Sequence, residues 1–359
     1  MPRAKFTKAK IRGIVSSIPQ IEKRIDDEKD LYGGNIKLIE KIKKMVGLNV
    51  RYEADKYTTT SDLCENAANE LLKGTGFDRS DIDCLIFITQ TPDYFLPATA
   101  SVLHKKLCLN KDCAAFDITL GCSGYVYGLW MAYSLIEAGG CNNVLLLAGE
   151  TTSKIVHPKD KTTVPLFGDA GTATLIQRTE QPSPSSFVLY SDGTGYEAIM
   201  IPAGAFRMPK SPETAREVLD DDGNPRTLEN LHLNGPDIFS FAINEVPRSV
   251  DEILNFSGVP KENIDAFIFH QANNYITDNI VKKASLPPEK VPLIIGKYGN
   301  QSRASIPTAI CDLILGGGGK RSLTALLSGF GVGLSWANCI IGLDDIYVKI
   351  KKYEGGADR

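Results

Sequence analysis

The feature that most constrains this chain is that it resembles itself at half its length. Gly76 opens a polar turn that leads through Ile82-Asp83 into an apolar run from Cys84. Gly258 opens the same succession, through Ile264-Asp265 into an apolar run from Ala266, at an offset of 182 residues. The same offset places Glu70-Leu71-Leu72 on Glu252-Ile253-Leu254. An offset of 180 places Leu146-Leu147-Ala148-Gly149 on Leu326-Leu327-Ser328-Gly329. Two copies of this length exclude a short-period solenoid. They predict two fused α/β halves, residues 1–180 and 181–359, in a chain too long for one small core.

Each half reads helix, polar loop, apolar strand, helix, apolar strand. The runs from Cys84 to Thr89, Val144 to Ala148, Ala266 to Phe269 and Ser322 to Leu327 are nearly all apolar. Such runs predict strands covered by helices on both faces. Ser123 to Glu137 is apolar nearly all round and stops at Gly139-Gly140, as a helix buried between layers does. Gln181 to Ser186, rich in Pro and Ser, reads as the link between halves. The charged stretch from Pro209 to Glu229, with a turn at Asp220 to Gly223, reads as an exposed excursion. Residues 20–50 read as charged and helical, outside the repeat.

Net charge is −3, which gives nucleic acid or an anionic membrane no electrostatic footing. No run of 18 apolar residues is present, and the basic N-terminus lacks the apolar stretch of an export signal. The expected compartment is the cytoplasm. The eight cysteines form no C-x-x-C pair, and Cys108, Cys113 and His104 fall short of a zinc set, so no metal is expected. Most read as small core residues.

Four segments could carry chemistry. In the first, Phe116 to Tyr125, a strand ends, Gly121 and Gly124 flank a turn, and a buried helix begins. Cys122 therefore stands at a helix N-terminus, where the macrodipole favours a thiolate. By itself it reads equally as a nucleophile or as a buried structural cysteine. In the second, His270 ends the repeated strand, where the first half has Ile88. It is either an acid–base group or a hydrogen-bonded core residue. In the third, Tyr298 to Pro307, Asn300 is a candidate amide donor to an oxyanion, although a capping role explains it better in isolation. The fourth, Ser328 to Trp336, has three glycines whose N–H groups suit an anion, without the Gly-Lys-Ser/Thr ending of a P-loop. Phe167 to Gly171 reads as a glycine turn explained by packing, and Gly316 to Lys320 as a flexible turn.

Together these segments resemble the ketoacyl-ACP synthase III family of the thiolase superfamily. The likeness runs from about Arg51 to Ile341, with Gly121-Cys122-Ser123-Gly124, Phe167-Gly168-Asp169, His270-Gln271-Ala272-Asn273, Gly299-Asn300 and the Gly329 to Trp336 loop in the family's order. It implies a thiolase-like five-layer αβαβα fold of two duplicated halves with mixed five-stranded sheets. It implies that Cys122 takes an acyl group from acyl-CoA or an acyl-carrier protein. His270 and Asn300 would hold a malonyl thioester, expected as malonyl-ACP, through decarboxylation and Claisen condensation. Backbone N–H groups of Cys122, Val332 and Gly333 would form the oxyanion hole. Leu96, Lys161 and Phe330 are the implied substrate-binding residues. The resemblance further implies a homodimer and no cofactor beyond the thioesters.

The departures matter. The family's carrier-docking arginine after the His-Gln-Ala-Asn motif is replaced by Asn274 to Thr277. No Trp precedes Trp130, and Lys161 stands where the family's adenine-stacking arginine would. Leu96 replaces an aromatic residue that shapes the partner subunit's pocket, and Gln301 and Arg303 replace small residues. These differences suggest a specialised paralogue. Three other readings remain: an acyltransferase that passes the Cys122-bound acyl group to an amine, alcohol or thiol, a non-decarboxylating head-to-head condensation, and a binding scaffold without chemistry.

Overall fold

The computed structural model describes residues 2–220, 223–317 and 322–355. The expected turns at 220–223 and 316–320 lie partly outside the described residues. The elements that frame the site are, in chain order, β1 (Arg3–Phe6), β2 (Ala9–Ile18), α1 (Ile36–Val46), α2 (Thr60–Thr75), β3 (Cys84–Ile88) and α3 (Thr99–Lys106). They continue with β4 (Ala114–Ile118), α4 (Gly124–Glu137), β5 (Asn143–Glu150), β6 (Ala170–Arg178) and β7 (Ser185–Ser191). Then come α5 (Gly235–Ser257), β8 (Ala266–Phe269), α6 (Asn274–Lys283), α7 (Ser305–Gly316), β9 (Ser322–Gly331), β10 (Ser335–Asp344) and β11 (Tyr347–Lys352).

The repeat is structural. Helix α2 ends at Gly76 and α5 at Gly258, both left-handed, with φ of 64° and 78°. A one-turn 3-10 helix follows each before β3 and β8. One sheet contains the order β2-β6-β5-β3 and the other β7-β10-β9-β8. In both, the last two strands are parallel and the others antiparallel.

Side-chain alternation along the strands explains the layering. Ile86 and Ile88 face a central core built with α4, with Ile306 and Ile310 of α7 and with Leu327 and Ala337 of the second sheet. Leu85 and Phe87 point the other way, onto Leu71 of α2 and Leu103 of α3. In the second half Ile268 faces the centre, while Phe267 and Phe269 pack on α5 and α6. Burial on both faces is why these strands read as unbroken apolar runs. The layers are therefore αβαβα, as expected, with α4 and α7 in the middle.

The chain ends depart from a clean split. The first sheet has six strands rather than five, because β11 from the C-terminus adds parallel to β2. Conversely, β1 pairs antiparallel with β7 of the second sheet. The expected link also shortens: Ser185 and Ser186 belong to β7, paired with Phe6 and Lys5. Residues 20–50 are helical in α1, but begin with a strand, Ile21–Arg24, paired with Val50–Glu53. The excursion is tied down by Arg226, whose Nε lies 3.2 Å from the buried Asp160 carboxylate. Among the described residues no helix is long and apolar enough to cross a membrane.

Candidate active site

The two central helices begin at the same place. Cys122 occupies the turn that joins β4 to α4, closed by the Gly124 N–H on the Gly121 carbonyl at 2.8 Å. A 3-10 turn, Ser302–Ala304, leads into α7, and the 180-residue offset makes Ser302 the counterpart of Cys122. His270 directly follows β8, and the hairpin between β9 and β10 closes over the nucleophile. A cavity of about 420 Å3 brings together Cys122, His270, Asn300, Ser302 and Phe330.

Each of the three reactive candidates is oriented. The His270 Nδ1 faces the Ser302 carbonyl at 3.1 Å and the Ser305 hydroxyl at 2.9 Å, which leaves Nε2 for the cavity. The Phe330 ring meets the imidazole edge-on, 5.6 Å between centroids. The Asn300 Oδ1 accepts from the Ser302 N–H at 2.9 Å, so its NH2 group is the free end. The Asn300 backbone is itself held by Leu166 and Gly168. The Cys122 Sγ lies 3.5 Å from the Ser302 hydroxyl.

Ser302 therefore touches all three. It does so at a φ of +51°, a left-handed conformation that costs a non-glycine residue about 1 kcal/mol or more and persists where the surroundings enforce it. The sequence had singled out its neighbours. Only the repeat offset carried a signal for Ser302.

Burial alone would raise the Cys122 thiol. The His270 imidazole and its hydrogen bond, the Ser302 hydroxyl and the Arg303 guanidinium outweigh it and bring the thiol down to about 7. The N-terminus of α4 adds its dipole in the same sense. Burial pushes Cys64, Cys84 and Cys311 the other way, to about 12. Because a lowered thiol pKa populates the thiolate above it, alkylation is expected to rise with pH around a midpoint near 7 and to map to Cys122. Peptide mapping across a pH series checks this. A rate that climbs only at alkaline pH, with label on the exposed Cys108, would remove the poised thiolate.

Arg303 is the site's least expected member. It is buried and paired with the buried Glu150. It donates to the Gly121 and Gly149 carbonyls, both at 3.3 Å, and to the Ser302 hydroxyl at 3.3 Å. Arg303 thus braces the nucleophile turn and leaves the Ser302 O–H to point at sulfur. Arg303→Ala strands the Glu150 charge and should cost about 3–5 kcal/mol in denaturant unfolding. Arg303→Ala with Glu150→Gln should recover much of that. Equal losses in both variants would place the cost elsewhere.

The glycine loop approaches closely. A Cβ on Gly331, whose φ is +156°, would lie 3.0 Å from the Cys122 Sγ, and one on Gly121 would lie 2.6 Å from the Val332 Cβ. Among the described residues the N–H groups of Cys122 and Val332 donate to no other protein group. Val332 lines the cavity; Gly333 lies beyond it in the hairpin turn. Lys161 does not line the cavity either. Arg226 pins its turn through Asp160 and Thr162, and the Tyr32 hydroxyl donates to its carbonyl. Leu96 is 81% exposed and does not line the cavity of its own chain. Asp169 is buried under N–H donors from Ala54 and Ser153, in keeping with a packing role for its turn.

Known proteins resemble this chain in sequence and fold. Residues 116–193 match the family model 3-oxoacyl-[acyl-carrier-protein (ACP)] synthase III, and residues 254–343 match its C-terminal counterpart. The chain is 42% identical over 354 residues, 97% of each chain, to a Campylobacter jejuni protein provisionally named 3-oxoacyl-[acyl-carrier-protein] synthase 3. It is 36% identical over 304 residues, 84% of this chain and 88% of the other, to the β-ketoacyl-[acyl-carrier-protein] synthase III of Caldanaerobacter subterraneus. A crystal structure of a 3-oxoacyl-(acyl-carrier protein) synthase from Burkholderia xenovorans superposes with a TM-score of 0.91 at 38% identity, covering 98% of this chain and 99% of that one. With its fold, its motifs in order and this degree of likeness, the chain belongs to the 3-oxoacyl-[acyl-carrier-protein] synthase III family of acyl-transferring enzymes.

Proposed function

We propose that the enzyme loads an acyl group onto Cys122 and condenses it with a malonyl thioester. The observation that carries this reading is the convergence of Cys122, His270 and Asn300 on one cavity, all three oriented by Ser302. The thiolate attacks the carbonyl of an acyl-CoA or acyl-carrier-protein thioester. The backbone N–H groups of Cys122 and Val332 hold the tetrahedral oxyanion until the donor thiol leaves.

The malonyl thioester then binds with its carbonyl oxygen between the Asn300 amide and the His270 Nε2. The Ser302 carbonyl and the Ser305 hydroxyl hold the ring through Nδ1 and turn Nε2 to the cavity, where, protonated, it donates to that oxygen. As the carbon–carboxylate bond breaks, its electron pair passes into an enolate whose oxygen those two donors stabilise. The enolate carbon attacks the acyl-enzyme carbonyl, the new carbon–carbon bond forms, and the bond to the Cys122 sulfur breaks. A β-keto thioester and a free thiolate result.

The loop around Leu96 fits a homodimer. Phe95 and Leu96 are 79% and 81% exposed, and Phe206, whose ring lies 6.2 Å from that of Phe95, is 91% exposed. A second copy covering this apolar loop would complete the site as Leu96 suggests. The buried Arg303, foreign to the small residues of the motif, favours a specialised paralogue.

Product mass tests the reaction. With an acyl thioester and malonyl-ACP, the product is expected to carry two more carbons than the loaded acyl group. A product of unchanged acyl length, attached to an amine, alcohol or thiol, would replace condensation by simple transfer.

A further inference from the structure

Gln90 stands one residue beyond the strand β3 and its Thr89 extension, and lines the cavity together with Cys122. Its Oε1 accepts from Arg303 NH2 at 2.9 Å. The same oxygen lies 3.3 Å from where a Cβ on Gly121 would sit, directly before the nucleophile. A guanidinium only donates, so the carboxamide must turn its oxygen to Arg303 and its NH2 away. Among the described residues no protein acceptor meets that NH2.

The anchor cannot swing to relieve it. Arg303 is held by Gly121, Gly149, Ser302 and Glu150. Glu150 is held in turn by the hydroxyls of Thr89 and Thr91 and the N–H of Gln90. The result is a preorganised pair of N–H donors on a solvent-accessible wall of the cavity that holds Cys122, a cavity otherwise lined by the apolar Ile155, Leu231, Leu233 and Phe239. A plain alkyl chain packed on such a group leaves it dehydrated and unpaired, which selects against that chain by about tenfold to a hundredfold.

We propose that Gln90, positioned by Arg303, is a specificity residue that reads an oxygen on the acyl group, so that Cys122 loads short hydroxyacyl chains in preference to plain alkanoyl chains. This rests on the acyl-loading reading given above. No further bond is made: Gln90 N–H donates to the substrate oxygen while Cys122 is acylated.

The test compares butyryl with 2-, 3- and 4-hydroxybutyryl thioesters, offered both as CoA and as carrier-protein forms. The rate of adduct formation is followed by intact-protein mass spectrometry. In the wild type at least one hydroxylated isomer is expected to load tenfold or more faster than butyryl. In Gln90→Leu, and in Gln90→Glu, which keeps the contact to Arg303 without the N–H donors, that ratio is expected to fall to about one. A wild type that loads butyryl at least as fast as every isomer overturns the assignment, as does a preference that survives in both variants. If no thioester of the set, butyryl included, gives an adduct, the acyl-loading reading itself fails, and this inference with it.

Discussion

Cys122→Ala is expected to leave no covalent acyl adduct and to lower condensation by roughly a thousandfold or more. The expectation follows from how completely the site is built around one sulfur. Gly331 can approach Cys122 only because it lacks a Cβ. Ser302, Arg303 and His270 all favour its thiolate. Among the described residues no other cysteine lines the cavity. Alanine removes a small buried atom with little disturbance to packing, so the protein should stay folded and the loss should report chemistry. Intact-protein mass spectrometry with an acyl-CoA panel, followed by peptide mapping, decides the matter. An adduct of equal yield in the alanine variant would show that the acyl group resides elsewhere.

His270→Ala is expected to separate the two half-reactions. Removing the imidazole takes away the largest influence lowering the Cys122 thiol, so its pKa should rise and acyl loading at neutral pH should slow. Loading should recover as pH is raised and thiolate returns. Decarboxylation should not recover, because the donor to the enolate oxygen is gone at every pH; a loss of roughly a hundredfold to a thousandfold is expected. Release of labelled CO2 from a malonyl thioester measures that step apart from loading. If alkaline pH restored both, His270 would serve the thiol alone, and the enolate would need another donor.

Much of the fold was legible because its reasons are local. The runs from Cys84 and Ala266 are apolar since helices cover both faces, and Gly76 and Gly258 mark helix ends that only a left-handed residue makes easily. The crossing edge strands were not legible. Arg3 to Phe6 and Tyr347 to Lys352 are short and rich in Lys and Arg, as exposed edges tend to be, and no apolar run betrays them. In the site, Cys122, His270 and Asn300 were candidates by their places at strand and helix ends, and only the resemblance joined them into one set of roles. Ser302 could not be read, because its role lies in a strained backbone that aims three different groups at three partners. Arg303 was visible only as an oddity, since what gives it meaning is Glu150, distant in sequence. Lys161 could be placed in the motif order but not in space, because Arg226, from the excursion, fixes its turn outside the cavity lining.

The exchange of end strands has a consequence for biosynthesis. On the ribosome the first half emerges with most of its sheet, yet β2 is left with an open edge until the distant β11 has been made. The nascent chain therefore carries an unpaired β-edge while all of the second half is made, the condition under which strands recruit wrong partners. Joining β2 to β11 also gives the fold contacts between residues far apart in sequence, which slow folding. Maturation should thus depend on synthesis of β11, and products truncated before it should be cleared or aggregate rather than persist as half-enzymes.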